Sequence, residues 1–369
     1  MIGYYAHSHG SGHCNYAQIF ARFLGRDLVV FTDRDYCFDY DVNVVRLPNE
    51  NPDGSQFDRD IFKEPSSLHY APVNMRKITE RNETILKTII ERNIKLLIID
   101  VSVEVAMLAR VSSIPYAYVR LQGDRNDLPH INAFEGSTFL IAYFPKEMES
   151  NKTPDWVKSK TIYLGFISKY MFESTSVRRP SKYCSNGKPN LLYLSGFGGT
   201  KTIDFSSIGQ FYNIYVVGPG SVCSVCSIYA HIGVVECTRA FIVHADIIVA
   251  GCGSNTTSEI LALGKRFIAI VEDRHYDEQK MMAEGLQRNG WAIELKKFWT
   301  METAIADLQT LEPMSTSIPK YDSLKSFFSI LSDRNFRADR VVDLYRNFMN
   351  EYDESRSIHN KNPFSNMAS

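Results

Sequence analysis

Short apolar runs alternate with amphipathic stretches along most of this chain. Ile2–Ala6 and Leu28–Thr32 are strand-length apolar segments, separated by a glycine-rich turn, HSHGSGH, and a helical pattern over roughly residues 16–24. Residues 75–93 place Ile78, Ile85, Leu86, Ile89 and Ile90 at helical spacing. They lead into Leu96–Asp100, a continuous apolar run of the kind that parallel sheets bury on both faces. A further strand is predicted over 116–121. The order strand, helix, strand, helix, strand predicts a doubly wound α/β domain.

Near residue 170 the pattern breaks. SKYMFESTSVRRPSKYCSNGKP is polar and carries proline, glycine and serine, as a linker does. The alternation then restarts with apolar runs at 191–195, 213–218, 246–250 and 266–271, the first followed by a glycine turn, GFGGT. Two α/β domains of similar size follow, over 1–168 and 169–333. Val341, Leu344, Tyr345, Phe348, Met349 and Tyr352 make an i, i+3, i+4 stripe, predicting a helix over about 336–352 that needs a surface to pack on. Residues 354–369 are polar and expected to be disordered.

Composition narrows the function classes. At 369 residues the chain is long for one core, which agrees with two domains. A net charge of −1 and the lack of a long basic run argue against nucleic acid as partner. The N-terminus has no basic segment followed by an apolar one, and no apolar run reaches the ~18 residues of a membrane span. Seven cysteines without regular spacing suit a reducing compartment, and Cys223-x-x-Cys226 lacks the second pair of a zinc site. A soluble cytoplasmic protein is expected, with association at a membrane surface left open.

The chemistry concentrates in two loops. AGCGSNTTSEILALGKRF, residues 250–267, follows an apolar run and opens a helix. Thr256-x-x-Glu259 fits a capping box, in which hydroxyl and carboxylate satisfy free N–H groups. A glycine loop at the carboxyl edge of a sheet also offers helix N–H groups to a phosphate, and an acid there can accept from a ribose diol. One unit later, VEDRHYDEQ sets Asp277, Glu278 and Gln279 at the same edge. In the first half, Gly10 and Gly12 with Asp33 partly fit a dinucleotide fingerprint, but Asn15 stands where its third glycine belongs.

AGCGSNTTSEILALGKRFIAIVEDRHYDEQ resembles the donor-binding signature of GT-B glycosyltransferases, and most closely that of glycosyltransferase family 28. Gly253, Thr256, Ser258, Glu259, Gly264, Asp277 and Gln279 carry the likeness. VVECTRAFIVHADIIVA is similar to the segment that meets the uracil edge, and LGFISK to the interdomain segment. The resemblance implies two Rossmann-like domains facing across a cleft, with the C-terminal helix packed back on the first. It implies an inverting, metal-independent hexosyltransferase that uses a UDP-sugar such as UDP-N-acetylglucosamine and needs no cofactor. Donor contacts would come from Lys169, Ser195, Gly196, Gly198, Gly199, Thr200, Val235, Gly253, Ser254, Asn255, Thr256, Glu259, Asp277, Glu278 and Gln279. Glu259 would accept the ribose hydroxyls and Gln279 would meet the sugar. Phe197, Lys280 and Ala283 depart from the family pattern.

His13 falls on the histidine of the family's N-terminal loop, and a neutral imidazole suits removal of an acceptor's proton near pH 7. Asp100 ends a buried strand, where it can orient His13, act as base itself, or simply cap the strand. Gly10, Gly12, Asp124, Arg125 and His130 are assigned to the acceptor side. The acceptor is expected to be a carbohydrate, a lipid-linked sugar or a small molecule, with cell-envelope glycoconjugate synthesis at the inner face of the membrane as one setting. A UDP-sugar epimerase and a non-catalytic nucleotide-sugar or NAD-binding protein are the alternatives.

Overall fold

The computed structural model describes residues 1–7, 12–50, 64–173, 176–197, 199, 201, 203–219, 229–296, 300–311 and 321–333. Gly10, Gly198 and Thr200, the 336–352 helix, the Cys223–Cys226 pair and the 354–369 tail lie outside them.

Seven parallel strands form the first sheet: β1 (Ile2–Ala6), β2 (Leu28–Thr32), β3 (Asn43–Arg46), β4 (Leu96–Asp100), β5 (Tyr116–Arg120), β6 (Phe139–Ala142) and β7 (Thr161–Tyr163). Their order is β3-β2-β1-β4-β5-β6-β7. Helices α1 (Gly12–Leu24), α2 (Arg76–Glu91), α3 (Val103–Val111), α4 (Leu128–Gly136) and α5 (Asp155–Lys160) connect them. Every residue of β1, β2 and β4 is buried, because helices cover both faces of the sheet. Alternation along β1 sends Tyr4 into the core shared with α1 and Tyr5 into the core shared with α2 and α3.

The second sheet repeats the winding with β8 (Asn190–Leu194), β9 (Asn213–Val217), β10 (Tyr229–Gly233), β11 (Ile247–Gly251), β12 (Phe267–Ile270) and β13 (Ala292–Glu294), in the order β10-β9-β8-β11-β12-β13. Its helices are α6 (Arg239–Val243), α7 (Ser254–Ala262), α8 (Glu278–Arg288) and α9 (Met301–Thr310). In each sheet the winding reverses beside the first strand, between β1 and β4 and between β8 and β11. Open α/β sheets bind ligands outside the carboxyl ends of the strands at such points. His13 and Asp100 sit at the first reversal, and Ser195, Gly196 and the start of α7 at the second.

The last described helix, α10 (Tyr321–Ser332), leaves the second lobe and completes the first. Leu324, Phe327, Phe328 and Leu331 enter the core beside α1, where the Phe328 ring stacks on Phe23 at 4.1 Å. Residues 321–332, grouped with the second domain by sequence, therefore pack on the first. Burying four such side chains contributes about 1.5–3 kcal/mol each. Among the described residues, no helix is long and apolar enough to cross a membrane.

Candidate active site

His13 lies in the first turn of α1, with Nδ1 2.9 Å from Oδ2 of Asp100, a fully buried carboxylate. Burial and the helix N-terminus both disfavour an imidazolium here. The Asp100 charge outweighs that burial, Glu278 adds to it and Arg125 opposes it, so the His13 pKa is raised above its ordinary 6.5. Val101, which follows Asp100, has φ of 66°, a left-handed conformation that costs a β-branched residue energy. The Tyr118 hydroxyl donates to the Val101 carbonyl at 2.6 Å, and Ser102 caps α3, so the strained turn is held from both sides.

In the second lobe, α7 begins after Gly253, whose extended backbone makes it the N-cap and which offers no side-chain acceptor. The N–H groups of Ser254, Asn255 and Thr256 thus form an uncapped helix start, suited to an anion. Thr256 is the third helical residue and Glu259 the sixth, so Thr256-x-x-Glu259 is not a capping box; the helix starts three residues earlier than that motif requires. Glu259 instead accepts from the Thr238 hydroxyl at 3.1 Å. Thr238 Oγ1 lies 3.0 Å from the Tyr170 hydroxyl, which also accepts the Thr238 N–H. Burial raises the Glu259 pKa, restrained by Lys169 and the Thr238 bond. A carboxylate held in this way is costly to the fold.

The glycine loop after β8 is shaped by Gly218, whose φ is +117°; a Cβ there would fall 1.9 Å from the Ser195 carbonyl. The Ser195 N–H donates to Val217 and the Gly199 N–H to Gly196. Those two N–H groups, expected to face a diphosphate, are therefore used within the protein. The Lys201 N–H is held by Glu272, a buried carboxylate at the end of β12, and the Glu272 N–H by Oε1 of Gln279. That leaves the Gln279 carbonyl oxygen bonded to backbone, while the residue itself is buried. Val235 is partly buried against the second core, and Asp277 is exposed.

The two loops meet across the seam. A Cβ on Gly12 would lie 2.4 Å from Nδ2 of Asn255, so the starts of α1 and α7 face each other at glycine distance. The Tyr16 hydroxyl lies beside Ser258. Arg125 pairs with Glu278 at 2.9 Å and covers the Tyr276 ring at 4.9 Å. Arg125 also donates to His130 Nε2 at 3.1 Å, and His130 Nδ1 lies 2.5 Å from Asp127. Burial first and Arg125 second push the His130 pKa down to about 4, so this ring is neutral, with Nδ1–H toward Asp127. His69, Asp127 and His130 bring possible metal ligands within 4.8 Å of one another, yet that tautomer gives His130 no lone pair on the side of Asp127. Arg125 and His130, assigned to the acceptor by sequence, are occupied as an interlobe clasp. Asp124 is tied to Lys152, and its N–H donates to the Tyr276 carbonyl at 2.7 Å.

Tyr276 and Asp277 both have positive φ, 61° and 52°, in the turn that the clasp grips. Gly123, with φ of +121°, admits the Tyr276 carbonyl where a Cβ would be 2.7 Å away. Gly123→Ala is therefore expected to cost more than ~1 kcal/mol and to loosen the seam, read as a lower Tm. An unchanged Tm would mean that the seam carries no stability. Asp33, the acid of the dinucleotide fingerprint, lies 3.9 Å from the buried Arg81, which also pairs with Glu50. Sequence reasoning missed Thr238, Tyr170, Glu272, Tyr276 and His69. Only Thr238 and Tyr170 had a signal, as neighbours of the uracil-edge and interdomain segments.

Two parallel sheets wound alike, with facing loops at their reversal points, define the GT-B fold of glycosyltransferases. The comparisons agree. Over 256 residues, 64% of this chain and 68% of the relative, the sequence is 25% identical to the UDP-N-acetylglucosamine--N-acetylmuramyl-(pentapeptide) pyrophosphoryl-undecaprenol N-acetylglucosamine transferase of Streptococcus gordonii. The kitacinnamycin glycotransferase superposes with a TM-score of 0.56 at 12% identity, covering 94% of this chain and 98% of its own. MurG of Acinetobacter baumannii gives 0.51 at 13% identity over 94% of each chain. A UDP-glucosyltransferase from Polygonum tinctorium gives 0.56 at 12%, covering 93% and 97%. No family model matches the chain. Fold and relatives together support the glycosyltransferase class, and the likeness to family 28 rests on the 25% match.

Proposed function

We propose that this protein is an inverting, metal-independent hexosyltransferase that moves a sugar from a UDP-sugar of the UDP-N-acetylglucosamine type to a hydroxyl acceptor. The observation that carries this reading is the His13–Asp100 pair set opposite the uncapped α7 start and Glu259, across the Gly12–Asn255 approach. Glu259 receives the ribose diol, and the N–H groups of Ser254, Asn255 and Thr256 receive the diphosphate. The acceptor hydroxyl loses its proton to His13 Nε2 while its oxygen bonds the anomeric carbon. The bond from that carbon to the diphosphate oxygen breaks, and its electron pair leaves with UDP. A single displacement of this kind inverts the anomeric centre. Donors already aimed at the developing charge supply the largest gain, ~3 kcal/mol for each one lost in comparable sites. The acceptor is a carbohydrate, a lipid-linked sugar or a small molecule of cell-envelope synthesis, met at the inner membrane face.

Mass-spectrometric product detection from a UDP-sugar panel against an acceptor library tests the proposal. Glycosylated acceptor plus UDP is the expected result. Interconversion of UDP-sugars without acceptor would make the protein an epimerase, and thermal stabilisation by NAD rather than UDP would make it a dinucleotide binder.

A further inference from the structure

Behind Asp100 stand two hydroxyls that no donor or acceptor contact explains. The Tyr4 hydroxyl donates to Asp100 Oδ2 at 2.9 Å and lies 3.0 Å from the Tyr143 hydroxyl. Tyr4 has one proton, and Asp100 takes it, so Tyr143 must donate to Tyr4. The chain therefore runs Tyr143 to Tyr4 to Asp100, and His13 Nδ1 lies 2.9 Å from the same carboxylate oxygen. Asp100 Oδ1 has no partner among the described residues. Both tyrosines are buried, Tyr4 completely. Phenylalanine would fill the same space without the cost of burying two hydroxyls, so their alignment on one oxygen calls for a use.

We infer that Tyr4, backed by Tyr143, sets the basicity of His13 by drawing charge from the oxygen that faces the imidazole. Tyr4 is a positioning residue, acting through Asp100, and the inference rests on His13 being the base. Because the phenol bonds the oxygen that pairs with the imidazole, charge drawn by Tyr4 is lost to the ion pair with His13. Burial first, then the Asp100 charge, hold both phenols well above their ordinary pKa, so they stay protonated donors across the working range. The other groups around the pair are fixed by the fold. Glu278 and Arg125 reach His13 from the seam, and the His7 ring stands 5.8 Å away. Tyr16, Tyr118 and Cys14 feel the Asp100 charge.

The test is a histidine-labelled NMR titration of the full chain, with His13→Gln identifying the resonance, in wild type, Tyr4→Phe and Tyr143→Phe. Tyr4→Phe is expected to move the His13 midpoint up by roughly half to one pH unit, and Tyr143→Phe less in the same direction. A folded Tyr4→Phe with an unmoved midpoint overturns the inference, even if its Tm has dropped. Should Tyr4→Phe not fold, Tyr143→Phe decides: an upward shift supports the coupling and none refutes it. UDP release by His13→Gln separates the two levels. Retained turnover would remove His13 as base whatever the tyrosines do. Lost turnover with an unmoved midpoint would sink the tyrosine coupling alone.

Discussion

Replacing His13 by glutamine is expected to lower turnover by roughly 10²–10⁴-fold while leaving the affinity for UDP unchanged. The imidazole stands at the first lobe's edge and the proposed nucleotide contacts belong to the second, so the two measurements should separate. The wild-type pH profile carries a second expectation. A base works deprotonated, and the folded-state pKa of His13 is raised, so kcat/KM should rise with pH along a limb centred above 6.5. Stability runs the other way. The pair's contribution is complete below the ordinary histidine value and is lost as pH climbs through the raised one. The Tm gap between wild type and His13→Gln should therefore be widest at acid pH and close toward alkaline pH. A limb below 6.5, or a Tm gap that widens with pH, would contradict the pairing with Asp100.

Glu259→Gln is expected to raise the KM for the donor by roughly 10- to 100-fold, the loss of charge-assisted bonds to a diol. It should do so without loss of stability at neutral pH. The reason is again a sign. Burial raises the Glu259 pKa, so the carboxylate's contribution to the fold is favourable only in acid and turns into a cost as pH rises past its ordinary 4.5. Glutamine keeps the bond from Thr238 and removes the buried charge. Equilibrium unfolding at pH 7 should show a variant as stable as wild type, or more so. A clear drop in stability with unchanged donor KM would return Glu259 to a purely structural role.

The parts of the fold that pattern reveals are the strands buried on both faces. β1, β2, β4, β8, β9, β11 and β12 read as unbroken apolar runs because helices cover them above and below. The strands it misses include all four sheet edges, β3, β7, β10 and β13, which are short and partly exposed. The same logic governs the site. His13, Asp100 and Glu259 could be singled out as candidates because loops at strand ends carry glycine and charge, and because the motifs around His13 and Glu259 resemble those of family 28. Tyr4 could not, since a tyrosine inside an apolar strand reads as one more hydrophobe, and only the fold shows its hydroxyl reaching Asp100. The clasp was hidden for another reason. His69 lies far from Arg125 and Asp127 in the chain, and Tyr276 joins them only when the second lobe meets the first.

The returning helix α10 gives the order of synthesis a physical meaning. Domains generally fold as they leave the ribosome, N-terminal first. Here the first domain to emerge is the last to be finished, because the aromatic surface of α1 waits for Phe327 and Phe328, near the far end of the chain. Until then the rings of Phe20 and Phe23 are without the Phe327 and Phe328 rings that cover them in the folded chain. The second lobe is made and folded during that wait. A chain cut short before Tyr321 would thus damage the lobe farthest from the cut, and the quality of the last helix controls whether the first helix is ever fully covered.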